Sequence, residues 1–75
     1  MAVTVRLFAA AREAAGTSEL TIDPGAVLPQ LREIGPRFAT VLEVCSVVSD
    51  GLRLGPDDEV PDGAVVDVLP PFAGG

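Results

Sequence analysis

Five runs of apolar residues predict strands, because each either alternates apolar and polar positions or is rich in β-branched side chains. They cover residues 2–8, 18–23, 44–48, 52–54 and 65–69. In the first run, Val3, Val5 and Leu7 alternate with Thr4 and Arg6, as in a strand with one buried side. The second run places Leu20 and Ile22 inward in the same way, and Pro24-Gly25 ends it.

Two segments between these strands are predicted to be helical. Residues 9–15 are rich in alanine and are followed by Gly16, a typical left-handed helix end. The main helix starts near Val27 or Leu28, because Pro29 is tolerated only in a first turn. Its predicted inward positions are Val27, Leu31 and Ile34, and its outer positions are Gln30, Arg32 and Glu33. Gly35-Pro36 terminates it.

The remaining segments complete an α+β pattern. Phe38, Val41 and Leu42 suggest a further helical turn over the core, and Asp50-Gly51 is a hairpin signal. Residues 55–63 are predicted to be a loop. The order strand, strand, helix, strand, strand, strand predicts a mixed sheet of about five strands with one main helix packed on one face. Phe8 and Phe38 are interpreted as core residues.

The chain has 75 residues, which is enough for one domain with one small core. Its net charge of −6 argues against nucleic-acid binding through phosphate contacts. There is no leader-like segment and no apolar run long enough to span a bilayer, so we expect a cytoplasmic protein without a membrane partner. The single cysteine agrees with a reducing compartment.

The sequence is poorly equipped for catalysis. It contains no histidine and no lysine, so it lacks the commonest general base and any Schiff-base amine. A histidine or multi-cysteine metal site is excluded, and no metal is expected. Cys45 lies in an apolar run without a neighbouring base and is interpreted as a buried small hydrophobic residue. Asp57-Asp58-Glu59 lacks the ligand spacing of a calcium loop and is expected to be a solvated loop.

The last six residues, 70–75, are the most distinctive segment. Pro70 and Pro71 end the preceding strand and keep the chain extended, and six extended residues reach roughly 20 Å. Gly74 and Gly75 have no side chain to shield a terminal carboxylate, which is ionised at neutral pH and needs activation before it can carry a group. Phe72 is interpreted as an interface anchor. We expect a single domain over residues 1–75 with a flexible tail at 70–75.

Three segments resemble the small subunits of molybdopterin synthase, a family of ubiquitin-like sulfur carriers. They are Val5-Arg6-Leu7-Phe8, Ala11-Arg12-Glu13-Ala14-Ala15-Gly16 and Leu69-Pro70-Pro71-Phe72-Ala73-Gly74-Gly75. The resemblance covers nearly the whole chain. It implies a β-grasp fold in which the first and last strands pair in parallel at the centre of the sheet.

The resemblance also implies a mechanism and partners. A ubiquitin-activating-type enzyme would use ATP to adenylate Gly75, and sulfur from a donor enzyme would then give a thiocarboxylate. The tail, with Pro71, Phe72, Ala73 and Gly74 as partner contacts, would enter the large subunit of molybdopterin synthase in a heterotetramer. There it would donate sulfur to cyclic pyranopterin monophosphate for molybdenum cofactor biosynthesis. On this interpretation the chain is a non-catalytic carrier without a bound cofactor, and the catalytic residues are on the large subunit.

Three other interpretations share the Gly-Gly end. A thiamine-pathway sulfur carrier also has it, but it usually opens with a shorter hairpin that lacks the Ala-Arg-Glu segment. A protein modifier would form an isopeptide bond to a lysine of its target. A non-covalent β-grasp adaptor, for which the glycines are incidental, would keep its function after their deletion.

Overall fold

The computed structural model describes residues 2–71. Its strands are β1 Val3–Leu7, β2 Glu19–Ile22, β3 Gly25–Ala26, β4 Ser46–Ser49, β5 Leu52–Arg53, β6 Glu59–Val60 and β7 Val65–Leu69. Its helices are α1 Ala9–Ala15, α2 Val27–Arg32 and α3 Pro36–Leu42. Five strands form one sheet in the order β2-β1-β7-β4-β5, and β3 pairs with β6 in a separate two-stranded sheet.

The centre of the larger sheet is the parallel pair β1 and β7, in which Val5 lies opposite Val66 and Leu7 opposite Val68. All four of these side chains are buried. β-Branched residues suit this position because their stiff side chains pack well on a pleated surface. The β-grasp arrangement and the parallel central pair are therefore confirmed.

The three helices cover one face of this sheet and complete the core. Their buried side chains are Ala11 of α1, Val27 and Leu31 of α2, and Phe38 and Leu42 of α3. Gly16 ends α1 with a left-handed φ of 78°, and its N–H donates to the carbonyl of Arg12 at 2.9 Å, as the sequence predicts. The core of residues 2–71 therefore lies between short helices and a sheet whose buried side chains are mainly valines.

The helical layer differs in detail from the prediction. The main helix is only six residues long, because Gly35-Pro36 ends the first segment and Pro36 starts α3 as its first residue. Ile34 was predicted to face inward, but it lies past the end of α2 and is 39% exposed. Gln30 was predicted on the outer face; instead its amide Nε2 donates to the carbonyls of Asp23 and Ala26, at 2.9 and 2.8 Å.

Two predictions about the strands also need correction. β4 begins at Ser46, because the chain still turns after α3 at residues 43–45, and Val44 is 64% exposed. Residues 55–63 are not loop throughout, since Glu59 and Val60 pair with Ala26 and Gly25. A two-residue strand is too short to show a periodic pattern, so the sequence gives no signal for it.

The Asp50-Gly51 hairpin is confirmed. Both residues have positive φ, 53° and 78°, which suits a two-residue turn whose twist matches the flanking strands. Val48 and Ser49 pair with Arg53 and Leu52 across it. Within the described part of the chain, no helix is long and apolar enough to cross a membrane.

Candidate functional site: the base of the C-terminal tail

The predicted tail starts where β7 ends. Leu69 is the last residue of β7, Pro70 is buried, and Pro71 is exposed. Phe72, Ala73, Gly74 and Gly75 lie outside the described residues. The described part of the site is therefore the base from which the tail leaves the body.

This base lies at one end of the central parallel pair. Because β1 and β7 run in the same direction, the carboxyl ends of both strands meet at one edge of the sheet. The start of β4 lies at the same edge, since Ser46 pairs with Leu69. The residues after β1 and before β4 are thus the neighbours of this base.

Of the aromatic residues that the structure describes, Phe8 is the one beside this base in register. It follows Leu7, which is opposite Val68, so the next step along both strands brings Phe8 beside Leu69. Its backbone is extended, with φ −122° and ψ 147°, and an extended step turns its side chain to the face opposite Leu7. The prediction that Phe8 fills the core is wrong: the residue is 37% exposed, whereas Phe38 is buried as predicted.

We call the sheet surface that the helices leave uncovered the open face. Strand alternation and register place side chains of three neighbouring segments on the open face. They are Thr4, Arg6 and Phe8 from β1 and the residue after it, Val65, Asp67 and Leu69 from β7, and Ser46 and Val48 from β4. Leu69 and Val48 are half-buried, and Val65 is 46% exposed. Apolar side chains therefore continue from the base of the tail onto this surface.

An ion pair crosses the middle of the open face. Arg6 Nε donates to Asp67 Oδ1 at 2.6 Å, and a terminal nitrogen of Arg6 donates to Asp67 Oδ2 at 2.8 Å. These charge-assisted hydrogen bonds raise the pKa of the Arg6 guanidinium above its ordinary value, with smaller coulombic contributions from Asp67 and Glu19. The pair joins two neighbouring parallel strands across the open face.

Cys45 is buried close to this base but is not arranged for chemistry. Its Sγ donates to the carbonyl of Val41 at 3.2 Å, and the residue is only 8% exposed. Burial raises the pKa of its thiol, which favours the unreactive neutral form. The interpretation of Cys45 as a buried small residue is confirmed.

The acidic segment is exposed as predicted, but it is only partly a loop, because Glu59 belongs to β6. Asp58 Oδ2 accepts a hydrogen bond from the backbone N–H of Gly55 at 2.6 Å and closes a turn, and Asp57 and Glu59 are exposed. Among residues 2–71, no three potential metal-ligating side chains come together.

The sequence interpretation missed Phe8 and the Arg6–Asp67 pair, although a signal for both was present. Alternation that sends Leu7 inward sends Arg6 and Phe8 outward. The core interpretation of Phe8 follows its residue type, whereas its position in the alternation indicates the outer face. Asp67, between inward Val66 and Val68, carries the same signal on the last strand.

Comparisons with known proteins agree with this geometry. The ThiS family profile matches residues 5–75. A putative molybdopterin converting factor subunit 1 from Pyrococcus furiosus is 28% identical, with a TM-score of 0.73 over 96% of this chain and 99% of that one. A solved complex of subunits 1 and 2 of the molybdopterin-converting factor from Helicobacter pylori contains a chain that is 26% identical to this one. The TM-score is 0.68, and the match covers 100% of both chains.

A third solved structure shares the fold alone. SAMP1 from Haloferax volcanii has a TM-score of 0.77 over 100% of both chains but only 20% identity. No curated protein sequence matches the chain.

Proposed function

Because this chain belongs to the ThiS family, we propose that it is a sulfur carrier for molybdenum cofactor biosynthesis, with the carboxylate of Gly75 as its reactive group. One observation carries the proposal: the family match extends through the final Gly-Gly, which follows a strand at the centre of the sheet. The choice of the molybdenum pathway is supported by the names of two solved structures, each more than 25% identical to this chain.

The proposed chemistry takes place at one acyl carbon. A carboxylate is a poor electrophile, so an adenylating enzyme first joins it to AMP from ATP, with release of pyrophosphate. The terminal sulfur of a persulfide on a donor enzyme then attacks the acyl carbon, and AMP leaves. A thiol cleaves the S–S bond of the resulting acyl disulfide, which joins that thiol to the donor cysteine as a disulfide and leaves a thiocarboxylate on Gly75. That sulfur is transferred to cyclic pyranopterin monophosphate, and water finally restores the carboxylate.

On this proposal, the chain itself serves to present the carboxylate of Gly75 to its partners. Buried Pro70 fixes the start of the tail, and exposed Pro71 continues it with a restricted φ. Beyond them, Gly74 and Gly75 would enter a narrow channel without steric conflict from side chains. The proposal needs no bound cofactor on this chain, and it assigns catalytic residues to the partner.

The proposed partner is the large subunit of molybdopterin synthase, with the open face as the docking surface next to the inserted tail. Phe8 supplies an exposed aromatic side chain, and Leu69 and Val48 extend the apolar area. Aromatic anchors surrounded by smaller contacts carry much of the binding energy in protein interfaces. The Helicobacter pylori structure is of a complex between subunits 1 and 2 of its factor, which supports a two-subunit assembly.

Reconstitution tests the proposal. The chain is incubated with ATP, an adenylating enzyme, a persulfide donor and a thiol reductant, and its mass is measured before and after addition of the large subunit and cyclic pyranopterin monophosphate. We expect the mass gain of one oxygen-to-sulfur exchange at Gly75, and its loss on product formation. A chain with one alanine added after Gly75 is the matched control, and it should not acquire sulfur because the carboxylate is displaced and shielded.

Three results would contradict the proposal. An extended chain that carries sulfur as well as the unmodified one would remove the role of Gly75. Thiocarboxylate that supports thiazole formation but not molybdopterin formation would assign the carrier to the thiamine pathway. Isopeptide conjugates to other proteins, without sulfur transfer, would assign it to protein modification.

A further inference from the structure

β2 forms one of the two edges of the larger sheet, because it is the first strand in the strand order. The outward backbone groups of an edge strand can pair with another strand, which makes such edges prone to strand addition. The N–H of Leu7 in β1 donates to the carbonyl of Ser18 at 2.8 Å, so the backbone of Ser18 and of every second residue after it faces β1. The backbone groups of Glu19, Thr21 and Asp23 therefore point outward.

The side-chain amide of Gln30 occupies the outward groups of Asp23. Its Oε1 accepts from the N–H of Asp23 at 2.9 Å, and its Nε2 donates to the carbonyl of Asp23 at 2.9 Å. These two bonds are the ones that a hydrogen-bonded residue of an antiparallel neighbour would supply. A third bond, from Nε2 to the carbonyl of Ala26 at 2.8 Å, holds the amide in place. The Gln30 amide thus takes the position of a neighbouring strand.

The hydroxyl of Thr17 covers the other end of the same edge. It donates to the carbonyl of Glu19 at 3.0 Å and accepts a longer hydrogen bond from the N–H of Glu19 at 3.4 Å. Between the two ends, the outward N–H and carbonyl of Thr21 have no partner within residues 2–71. Four of the six outward groups of Glu19, Thr21 and Asp23 are therefore engaged by side chains, and an added strand could bond only at Thr21.

The opposite edge, β5, is protected in a similar way. The N–H of Leu54 donates to the carbonyl of Val47 at 2.7 Å, so the backbone groups of Arg53 and Gly55 point outward. The N–H of Gly55 donates to Asp58 Oδ2 at 2.6 Å, and its carbonyl accepts from the N–H of Asp58 at 3.2 Å. β5 has only two residues, and a short edge strand offers few bonds to a neighbour. The longer β2 is thus the edge at which a block matters more.

We propose that Thr17 and Gln30 block the β2 edge against pairing with β2 of a second copy of the chain. In an antiparallel pair centred on Leu20, Glu19 would lie opposite Thr21, so outward groups would meet outward groups and no like charges would face each other. Each Thr21 would then need the Glu19 groups that Thr17 engages. The block keeps the domain monomeric and leaves the open face and the tail for other proteins. Sulfur carriage is not needed for this role.

Sedimentation velocity of the full chain tests the proposal. Samples span about 10 µM to 1 mM in about 0.5 M NaCl, which screens the repulsion between acidic chains. We expect the unmodified chain to sediment as a monomer throughout. The double variant Thr17→Ala, Gln30→Ala should form a dimer, with an association constant at least about tenfold higher, because the four engaged groups become available for bonds between strands.

Three further variants serve as controls. Ser49→Ala loses the hydrogen bond from its Oγ to the Val65 carbonyl but leaves both edges unchanged, so it should stay monomeric. Thr17→Ser keeps the hydroxyl and, with Gln30 intact, should sediment like the unmodified chain. Thr21→Pro, added to the double variant, removes an outward N–H at a position where edge strands tolerate proline, and it should restore the monomer. Amide spectra and urea unfolding establish that each variant is folded.

Four outcomes would overturn the proposal. A folded double variant that stays monomeric at the highest concentration would show that the two side chains do not block association. Equal association of Ser49→Ala would attribute the dimer to lost stability. A dimer that persists after Thr21→Pro would place the contact on another surface. An unmodified chain that dimerises, and that Thr21→Pro makes monomeric, would show that the edge is open.

Discussion

Replacing Phe8 with alanine is the sharpest test of the open face as a docking surface. A phenylalanine buries about 150–250 Å² when fully enclosed. Phe8 is 37% exposed, so about 75 Å² remains for a partner to cover. At about 25 cal/mol per Å² this area is worth about 1.9 kcal/mol, or roughly a 25-fold change in Kd.

The assay is isothermal titration calorimetry with the molybdopterin synthase large subunit. Ile34→Ala is the matched control, because Ile34 has nearly the same exposure, 39%, but follows α2 in the helical layer. We expect Phe8→Ala to weaken binding about 25-fold and Ile34→Ala to leave the Kd within about twofold. Urea unfolding of both variants separates affinity from stability.

A second comparison addresses the fold itself. Phe38 is buried in the core, so Phe38→Ala should lower the free energy of unfolding by about 3–5 kcal/mol, more than Phe8→Ala does. If folded Phe8→Ala binds the large subunit as tightly as the unmodified chain, the docking argument fails. If Ile34→Ala weakens binding equally, the open face has no special role.

Three further predictions concern single residues. Gln30→Ala should lower the free energy of unfolding by about 1–2 kcal/mol in urea titrations, because its amide makes two hydrogen bonds to the Asp23 backbone in the preceding turn and one to the Ala26 carbonyl; an unchanged midpoint would contradict this. Gly51→Ala should cost about 1 kcal/mol because of its φ of 78°, whereas Gly35→Ala, with φ 167° and open space at the added Cβ, should be nearly neutral in the same assay. Cys45→Ala should leave sulfur transfer unchanged. Since burial raises the pKa of this thiol, the stability it contributes is constant below the ordinary value of 9.0 and declines as the pH rises above it, so the difference in unfolding free energy between the two proteins should shrink only at alkaline pH. Transfer that is lost in folded Cys45→Ala would show that the thiol takes part.

The sheet was predictable from sequence because its central strands combine two strong signals. Alternation in β1 and the β-branched run in β7 both indicate strands, and the Asp50-Gly51 turn fixes the position of β5. The parallel pairing of β1 with β7 joins residues about sixty positions apart. The local pattern of apolar and polar residues cannot indicate such a long-range contact, and only the family resemblance indicated it.

The wrong predictions concern residues whose type or spacing suggests one environment, while their position in the fold gives them another. Phe8 is interpreted as a core residue because phenylalanine is usually buried, but its place in the alternation turns it outward. Ile34 fits a helical spacing from Val27, but α2 ends before that spacing can apply. The partners of Gln30 are backbone groups in the preceding turn and at the start of α2, whose placement depends on the fold.

The central position of β7 has a mechanical consequence. A pulling force on the tail acts along β7, whose hydrogen bonds to β1 and β4 run across that direction and would be loaded in shear. Many bonds must then break together, whereas a strand peeled from an edge loses them one at a time. Withdrawal of the tail from a tight channel should therefore leave the domain folded and ready for another cycle.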